Sequence, residues 1–380
     1  MKSLKPLFFQ KKQTLFTIFI SVIALLSITK SVAQFDTQYY LPPLWNDSDG
    51  SNNDPSRLIL STSYPSSNVT IQTSDGTTLN TTVNVTAGNP FTFPLSTLLG
   101  MTNTINTVEF NKGLIITSTE PIQVVHEVDA INNKTYVTLK GQTALGTDFY
   151  AGSQTRINEA SYGPENVHFI SVMAMEDNTS ITIAMPGTSV LQGTANTFTF
   201  SLNQYETYLV KNASGTDVTN NITGAHITSD KNISVVSGGV HLNQNDNGGA
   251  ADGGADQLIP VNAIDTEYIV TRGANNLDYA IIIATQPNTQ IFTDGNVLPI
   301  ATLANAGDYY EYDITGVLGD PHYIDSNLPV YVFQVSGLLG NEMGMSIVPS
   351  NLCRGSKTID FLNFSGSTNT VQVMLETADE

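Results

Sequence analysis

The chain has 380 residues and a formal net charge of −19, with 34 acidic and 15 basic side chains. This negative charge repels phosphate backbones and anionic lipid surfaces, so it argues against a nucleic-acid-binding or membrane-surface protein. Charged residues are only 13% of the chain; polarity comes instead from Asn, Thr, Ser and Gln, which is typical of extracellular β-proteins, and the apolar content argues against general disorder.

Residues 1–33 have the pattern of a secretory signal peptide. Lysines among the first twelve residues precede an uncharged, mostly apolar stretch at 15–28, and Ser31-Val32-Ala33 has small residues where a signal peptidase requires them. As a helix that stretch reaches about 21 Å, less than the ~30 Å core of a bilayer. We therefore expect cleavage between Ala33 and Gln34, giving a secreted or outer-surface protein without membrane insertion.

Three copies of one sequence unit follow the signal peptide. One signature is an apolar run before an Asn, and it recurs in two equal steps at Asn68, Asn178 and Asn288. A second signature, rich in β-branched residues around a Ser, begins at Ile116, Ile227 and Ile324. These spacings place the repeats at about 57–167, 168–278 and 279–369, and the start of a fourth at 370–380.

Each copy contains six to eight short runs of β-branched or aromatic residues, bounded by Gly, Asn, Asp and Pro. Helical spacing of apolar residues is absent outside the signal peptide, so the sequence predicts an all-β protein. Eight strands per copy would form two blades, and three copies a β-propeller. Six or seven strands would fit tandem β-sandwiches instead. The copies have no Pro- or Ser-rich linker between them, which favours the propeller-like arrangement and leaves tandem sandwiches as the alternative.

The segment Val235-Val236-Ser237-Gly238-Gly239, followed by Asp256-Gln257-Leu258-Ile259-Pro260, resembles the N-terminal domain family of IgGFc-binding protein. Weaker similarities extend over about residues 36–375. The resemblance, together with the Ala-Gln cleavage junction, suggests a bacterial, Bacteroidetes-type secreted member. It implies a non-catalytic binding or adhesive role. Animal relatives carry cysteines in the loop at 243–256, and this chain has none there, so antibody binding is not implied.

Two acidic clusters are candidate Ca²⁺ sites, because Ca²⁺ prefers carboxylate and amide oxygens held on tight turns. Their carboxylates belong to Asp47, Asp49, Asp54, Asp246, Asp252 and Asp256. The second cluster lies in a glycine-rich segment that we interpret as a loop. The alternative for both is a solvated polar loop. Calcium is thus the one cofactor that the sequence suggests.

Aromatic side chains could form a platform for a glycan, with core packing as the alternative. The candidates are Trp45, Tyr64, Tyr162, Tyr309, Tyr310 and Tyr312. Trp45 stands beside the first acidic cluster and is the ligand-contact residue that we favour.

No catalytic motif is recognisable: the sequence has no nucleophile elbow, P-loop, dinucleotide fingerprint or zinc-binding histidine pair. We expect a secreted or cell-surface binding or adhesion module that recognises an extracellular glycan or protein. One alternative is a carbohydrate-binding or carbohydrate-active protein. Another is a structural domain of a larger exported protein.

Overall fold

In the part of the chain that the structure describes, the fold is built from β-strands, with short 3₁₀ turns at Gly141–Ala144 and Val261–Ala263. The computed structural model describes residues 35–45, 56–95, 99–130, 133–157, 167–187, 189–212, 220–242, 252–273, 277–338 and 341–351. Within these ranges it contains 24 strands and no α-helix. The all-β prediction is confirmed.

One long strand organises the first repeat. It is β9 (Leu114–Ala130), and its N-terminal half pairs with β1 (Asp36–Leu41) and β4 (Ser67–Thr73). Its C-terminal half pairs with β3 (Ser56–Ser61) and β10 (Asn133–Thr138). Two further strands extend these halves: β5 (Asn80–Val85) lies beside β4, and β6 (Phe91–Leu95) lies beside β3.

The same strand order recurs in the second and third repeats. The second repeat contains β11 (Gly146–Tyr150), β12 (Val167–Ala174), β13 (Thr179–Ala184), β14 (Thr197–Leu202), β15 (Thr207–Lys211), β16 (His226–Leu242) and β17 (Asp252–Gln257). The third contains β18 (Asp265–Thr271), β19 (Tyr279–Ala284), β20 (Thr289–Thr293), β21 (Ala301–Leu303), β22 (Tyr309–Asp313), β23 (Pro321–Leu338) and β24 (Asn341–Ile347). The long strands are β16 and β23. The first repeat has three additional short strands: β2 (Leu44–Trp45) pairs with β7 (Met101–Thr102), and β8 (Val108–Glu109) pairs with β15 of the second repeat.

A serine marks the point where each long strand passes from one half-sheet to the other. In all three repeats its Oγ donates to the carbonyl two residues ahead, at 2.7–2.8 Å, from Ser118, Ser229 and Ser326. Such local side-chain bonds satisfy a carbonyl where the regular ladder is interrupted. The two halves then face each other, because Leu58 of β3 and Ile71 of β4 lie in one buried cluster. Each repeat is therefore a seven-stranded sandwich made from one bent sheet.

An asparagine precedes the second inner strand of the second and third repeats. Asn178 and Asn288 adopt positive φ angles of 54° and 61°, a conformation that Asn tolerates better than most residues. Asn68 differs, because it lies inside β4. The signature thus marks a turn in two repeats and a strand in the first.

The propeller-like arrangement is not confirmed. A pair of blades requires two separate four-stranded sheets, whereas each long strand here belongs to both halves of its repeat. The seven-strand sandwich alternative fits this topology. The absence of linkers misled the sequence interpretation, since these repeats are joined by buried contacts and need no linker.

The sheets define structural units at about 36–138, 146–257 and 265–347. These begin earlier than the repeats at 57–167, 168–278 and 279–369, because β1, β11 and β18 each pair with the long strand that follows them. The predicted start of a fourth repeat at 370–380 lies outside the described residues.

Neighbouring repeats share their cores. All eight residues of β12 and all six of β19 are buried, whereas β3 alternates between buried and half-buried residues. One face of β19, with Tyr279 and Ile281, joins the core cluster of the second repeat; the other, with Ile282, faces its own core. The outer faces of the second and third repeats thus pack against the preceding repeat.

The matching outer face of the first repeat is polar. Arg57 donates to both carboxylate oxygens of Glu127 at 2.5 and 2.6 Å, and Tyr136 donates to the same carboxylate at 3.2 Å. Glu127 is almost fully buried. Good hydrogen-bond geometry of this kind offsets the cost of burying a carboxylate.

Candidate functional site

The edge strands of the three repeats, β10, β17 and β24, lie side by side and border a cleft of about 660 Å³. We call it the central cleft; its lining comes from all three repeats: Tyr136, Gly253, Gly254, Ala255, Ile269, Thr271, Gln334, Ser336, Gly344, Met345, Ser346, Ile347, Val348 and Pro349. None of these side chains carries a charge. Its volume is within the range of ligand-binding pockets.

Glycines of β17 allow these strands to approach so closely. A Cβ at Gly253 would overlap the side chain of Thr135 on β10, and one at Gly254 would lie 3.2 Å from Met345 Cβ on β24. This corrects the interpretation of 243–256 as one loop, because Asp252–Gln257 form a strand. The glycines serve close strand packing there.

A carboxylate on β17 links the three repeats. Asp256 Oδ1 accepts a hydrogen bond from Lys140 Nζ of the first repeat at 2.5 Å, and Oδ2 accepts one from the backbone N–H of Ile347 in the third at 2.9 Å. Its own neighbour Gln257 donates a further backbone N–H at 2.8 Å. Asp256 is buried and Lys140 largely so. We call this arrangement the Asp256 clasp; it also covers part of the open edge of β24, where an unpaired amide would be costly.

The candidate calcium ligands are only partly within the described structure. Asp47, Asp49, Asp54 and Asp246 lie outside the described residues, and Asp252 lies at the start of β17. Asp256 is the one whose contacts are described, and both of its oxygens are engaged in the clasp. Among the described residues no group of three or more His, Cys, Asp or Glu could hold a metal ion. The calcium sites stay a prediction.

Trp45 lies in β2, close to the contact between the first and second repeats. Lys211 Nζ of β15 lies 4.4 Å from the centre of its ring, a cation–π contact. Burial lowers the pKa of Lys211. The structure does not gather the predicted aromatic platform at one place: Tyr64 follows β3, Tyr309, Tyr310 and Tyr312 belong to β22, and Tyr162 lies outside the described residues. Ligand binding by Trp45 remains a prediction.

Two buried serine–histidine pairs escaped the sequence interpretation. Ser56 Oγ lies 2.6 Å from His126 Nε2, and Ser153 Oγ lies 2.6 Å from His168 Nδ1. Both histidines are fully buried, and burial lowers the pKa of each to about 4. Glu127, the neighbour of His126 in β9, is buried as well. A substrate has no access to either pair, so they are structural.

A second opening, which we call the junction cleft, lies between the second and third repeats. Its volume is about 490 Å³, and its lining comprises Pro186, Gly187, Ser189, Asn221, Thr223, Thr302, Leu303, Ala304, Gly307, Asp308 and Tyr309. The repeats touch at its base, where a Cβ on Gly224 would overlap the carbonyl oxygen of Gly307. Tyr309, one of the predicted platform residues, is 40% exposed there.

The fold and these clefts define an all-β repeat protein with ligand-sized openings where its repeats meet. The family model described as IgGFc binding protein matches residues 134–379, and the chain belongs to this family. The match begins in β10 and covers the second and third repeats entirely. The family is one of binding-type domains and is not a known enzyme family.

No curated protein and no solved structure matches the chain. In the described part of the chain, no helix is long and apolar enough to cross a membrane.

Proposed function

We propose that the mature chain is an exported, non-catalytic binding or adhesion module whose main ligand site is the central cleft. The observation that carries this proposal is the cleft itself, which is large enough for a ligand and built from all three repeats. Membership in a family of binding-type domains supports it, and the signal-peptide pattern of residues 1–33 supports export.

The lining of the central cleft favours an uncharged ligand segment. Neutral polar side chains such as Thr271 and Ser346 stand beside apolar ones such as Ile269 and Val348. The net charge of −19 repels acidic ligands at longer range. The proposed ligand is therefore a neutral segment of an extracellular protein or glycan.

A binding screen of residues 34–380 tests this proposal. Immunoglobulin, mucins and plant or algal polysaccharides would be presented with Ca²⁺ and with EDTA. Ser346 is exposed on β24, so Ser346→Arg should fill the cleft without unfolding the protein. Ser201→Arg, at an exposed position of β14, is the matched control.

We expect a saturable ligand whose binding is lost in Ser346→Arg and kept in Ser201→Arg. Loss of binding in EDTA would support the predicted calcium sites, and an unchanged melting temperature in EDTA would count against them. If no ligand in the screen bound, the role would shift to that of a structural domain.

A carbohydrate ligand is the second candidate function, because the junction cleft presents an exposed aromatic ring among polar groups. Exposure of Tyr309 at that opening is the observation that favours it.

A further inference from the structure

The two junctions between repeats differ at one equivalent place. At the first, β8 of the first repeat pairs with the outer edge of β15, and Thr207 Oγ1 donates to the carbonyl of Glu109 at 3.1 Å. At the second, β22 takes the position of β15. Among the described residues no strand pairs with the outer edge of β22. The junction cleft lies at the start of β22.

An aromatic side chain occupies this opening. Thr207 and Tyr309 are equivalent, since each starts the strand that pairs with the buried inner strand of its repeat. Thr207 is 1% exposed and Tyr309 is 40% exposed. Tyr309 therefore presents a large amphipathic ring to solvent at the mouth of the cleft.

The carboxylates farther along β22 are paired with a guanidinium. Glu311 and Asp313 alternate with Tyr310 and Tyr312 along β22, and Arg156 of the second repeat donates to both carboxylates, at 2.6 and 2.5 Å. The same guanidinium lies 4.4 Å from the centre of the Tyr279 ring. Asp308 lines the opening beside Tyr309. Its carboxylate repels anionic ligands but can accept hydrogen bonds from the hydroxyl groups of a neutral one.

Polar groups around the ring are held in fixed positions. Thr223 Oγ1 donates to Asn221 Oδ1 at 2.7 Å, so the wall formed by the second repeat is rigid. On the opposite side Asp308 Oδ2 accepts from the backbone N–H of Asn305 at 2.8 Å, which fixes its carboxylate beside Tyr309. Polar groups held in fixed positions beside an aromatic ring can orient a small ligand and give specificity.

We propose that the junction cleft binds one sugar ring of a neutral glycan, stacked on Tyr309 and hydrogen-bonded by Asp308 and Ser189. A sugar ring has an apolar C–H face and a rim of hydroxyl groups, which matches an aromatic ring edged by polar groups. This inference deepens the proposed binding role and rests on it, but it uses a different cleft.

Calorimetric titration of residues 34–380 tests the inference. Neutral malto-, cello-, manno- and xylo-oligosaccharides are the probes, each used alone. We expect at least one to bind, with Kd raised about tenfold or more by Tyr309→Ala and little changed by Tyr309→Phe, which keeps the ring. Tyr64→Ala is the matched control, because Tyr64 is also 40% exposed but follows β3, away from the cleft.

Two outcomes would overturn the inference: no oligosaccharide binds, or binding survives Tyr309→Ala in a protein with an unchanged melting temperature. Ser346→Arg separates this result from the proposed function, because it fills the central cleft and should leave the sugar affinity unaltered. If the central cleft retains a ligand while no sugar binds, only the glycan inference fails.

Discussion

The two junctions join similar sandwiches by different chemistry. The first is closed by strand pairing between β8 and β15 and by the buried Lys140–Asp256 contact of 2.5 Å. The second relies on aromatic packing and on the more exposed Arg156, and it remains open at Tyr309. Residues that recur in every repeat thus build the sandwich, whereas residues that differ between repeats decide how the sandwiches join and where a ligand can enter.

Removing one buried ring from each junction is the strongest test of whether both depend on a shared apolar core. Phe169 and Phe333 are fully buried and belong to clusters that span the first and second junctions. We expect Phe169→Ala and Phe333→Ala each to lower the free energy of unfolding by about 3–5 kcal/mol. Phe198→Ala, at a partly buried position of β14, should cost less in the same urea titration. A small loss of stability in Phe169→Ala or Phe333→Ala would mean that the corresponding junction is held mainly by polar contacts.

Substitutions that remove the ionic contacts should distinguish the two junctions more clearly. Lys140→Met leaves the buried Asp256 carboxylate without its cation, and we expect a loss of about 3 kcal/mol. Arg156→Met removes contacts to side chains that are 28% and 68% exposed, so about 1 kcal/mol or less is expected. Chemical denaturation at low and high salt measures both. Equal losses of stability in Lys140→Met and Arg156→Met would contradict the proposed difference between the first and the second junction.

Acid should weaken the first and second repeats through their buried histidines. Burial lowers the pKa of His126 and of His168 to about 4 in the folded protein, whereas an unfolded chain has a His pKa of about 6.5. The unfolded state binds more protons between these values, so stability is full above about pH 7 and falls toward pH 4. Each histidine should account for about 2 kcal/mol at pH 5.

Thermal unfolding between pH 7 and pH 4 measures that loss. His126→Gln keeps a partner for Ser56 and should flatten part of the pH dependence. An unchanged slope would show that other groups cause it.

The smallest expected loss of stability comes from removing the serine hydrogen bond that all three repeats share. Ser118→Ala, Ser229→Ala and Ser326→Ala each remove one hydrogen bond at the bend of a long strand. We expect about 1 kcal/mol from each, because the bond is alike in all three repeats. Ser201→Ala, at an exposed position, should have no measurable effect on the unfolding midpoint. Widely unequal values would show that the bends are not equivalent.

The sequence repeats allowed part of this structure to be predicted. The recurring signatures predicted three all-β units, and Tyr309 was among the aromatic residues predicted to form a platform for a glycan. The bend was missed because Ser118 lies within a run that reads as one ordinary strand, and nothing local shows that its two halves pair with different partners. Gly253 and Gly254 were assigned to a loop, since glycine carries no side-chain periodicity that would reveal a strand.

The central cleft and the clasp could not have been predicted. Lys140 and Asp256 are far apart in sequence and belong to different repeats, and no local pattern links a lysine to an aspartate at that separation. The junction cleft is formed by residues of the second and third repeats that are far apart in sequence. Contacts of this kind depend on tertiary packing, which periodicity does not encode.

The position of the long strand has a consequence for how the chain acquires its structure. In every repeat the strand that pairs with four others comes next to last in the sequence, after β1 to β6 in the first repeat and after β18 to β22 in the third. Until it has emerged, the earlier strands have open edges and apolar faces without their central partner. Pairing over such long sequence separations is slow and leaves intermediates prone to aggregation. A chain of this design should depend on chaperones before each repeat can close.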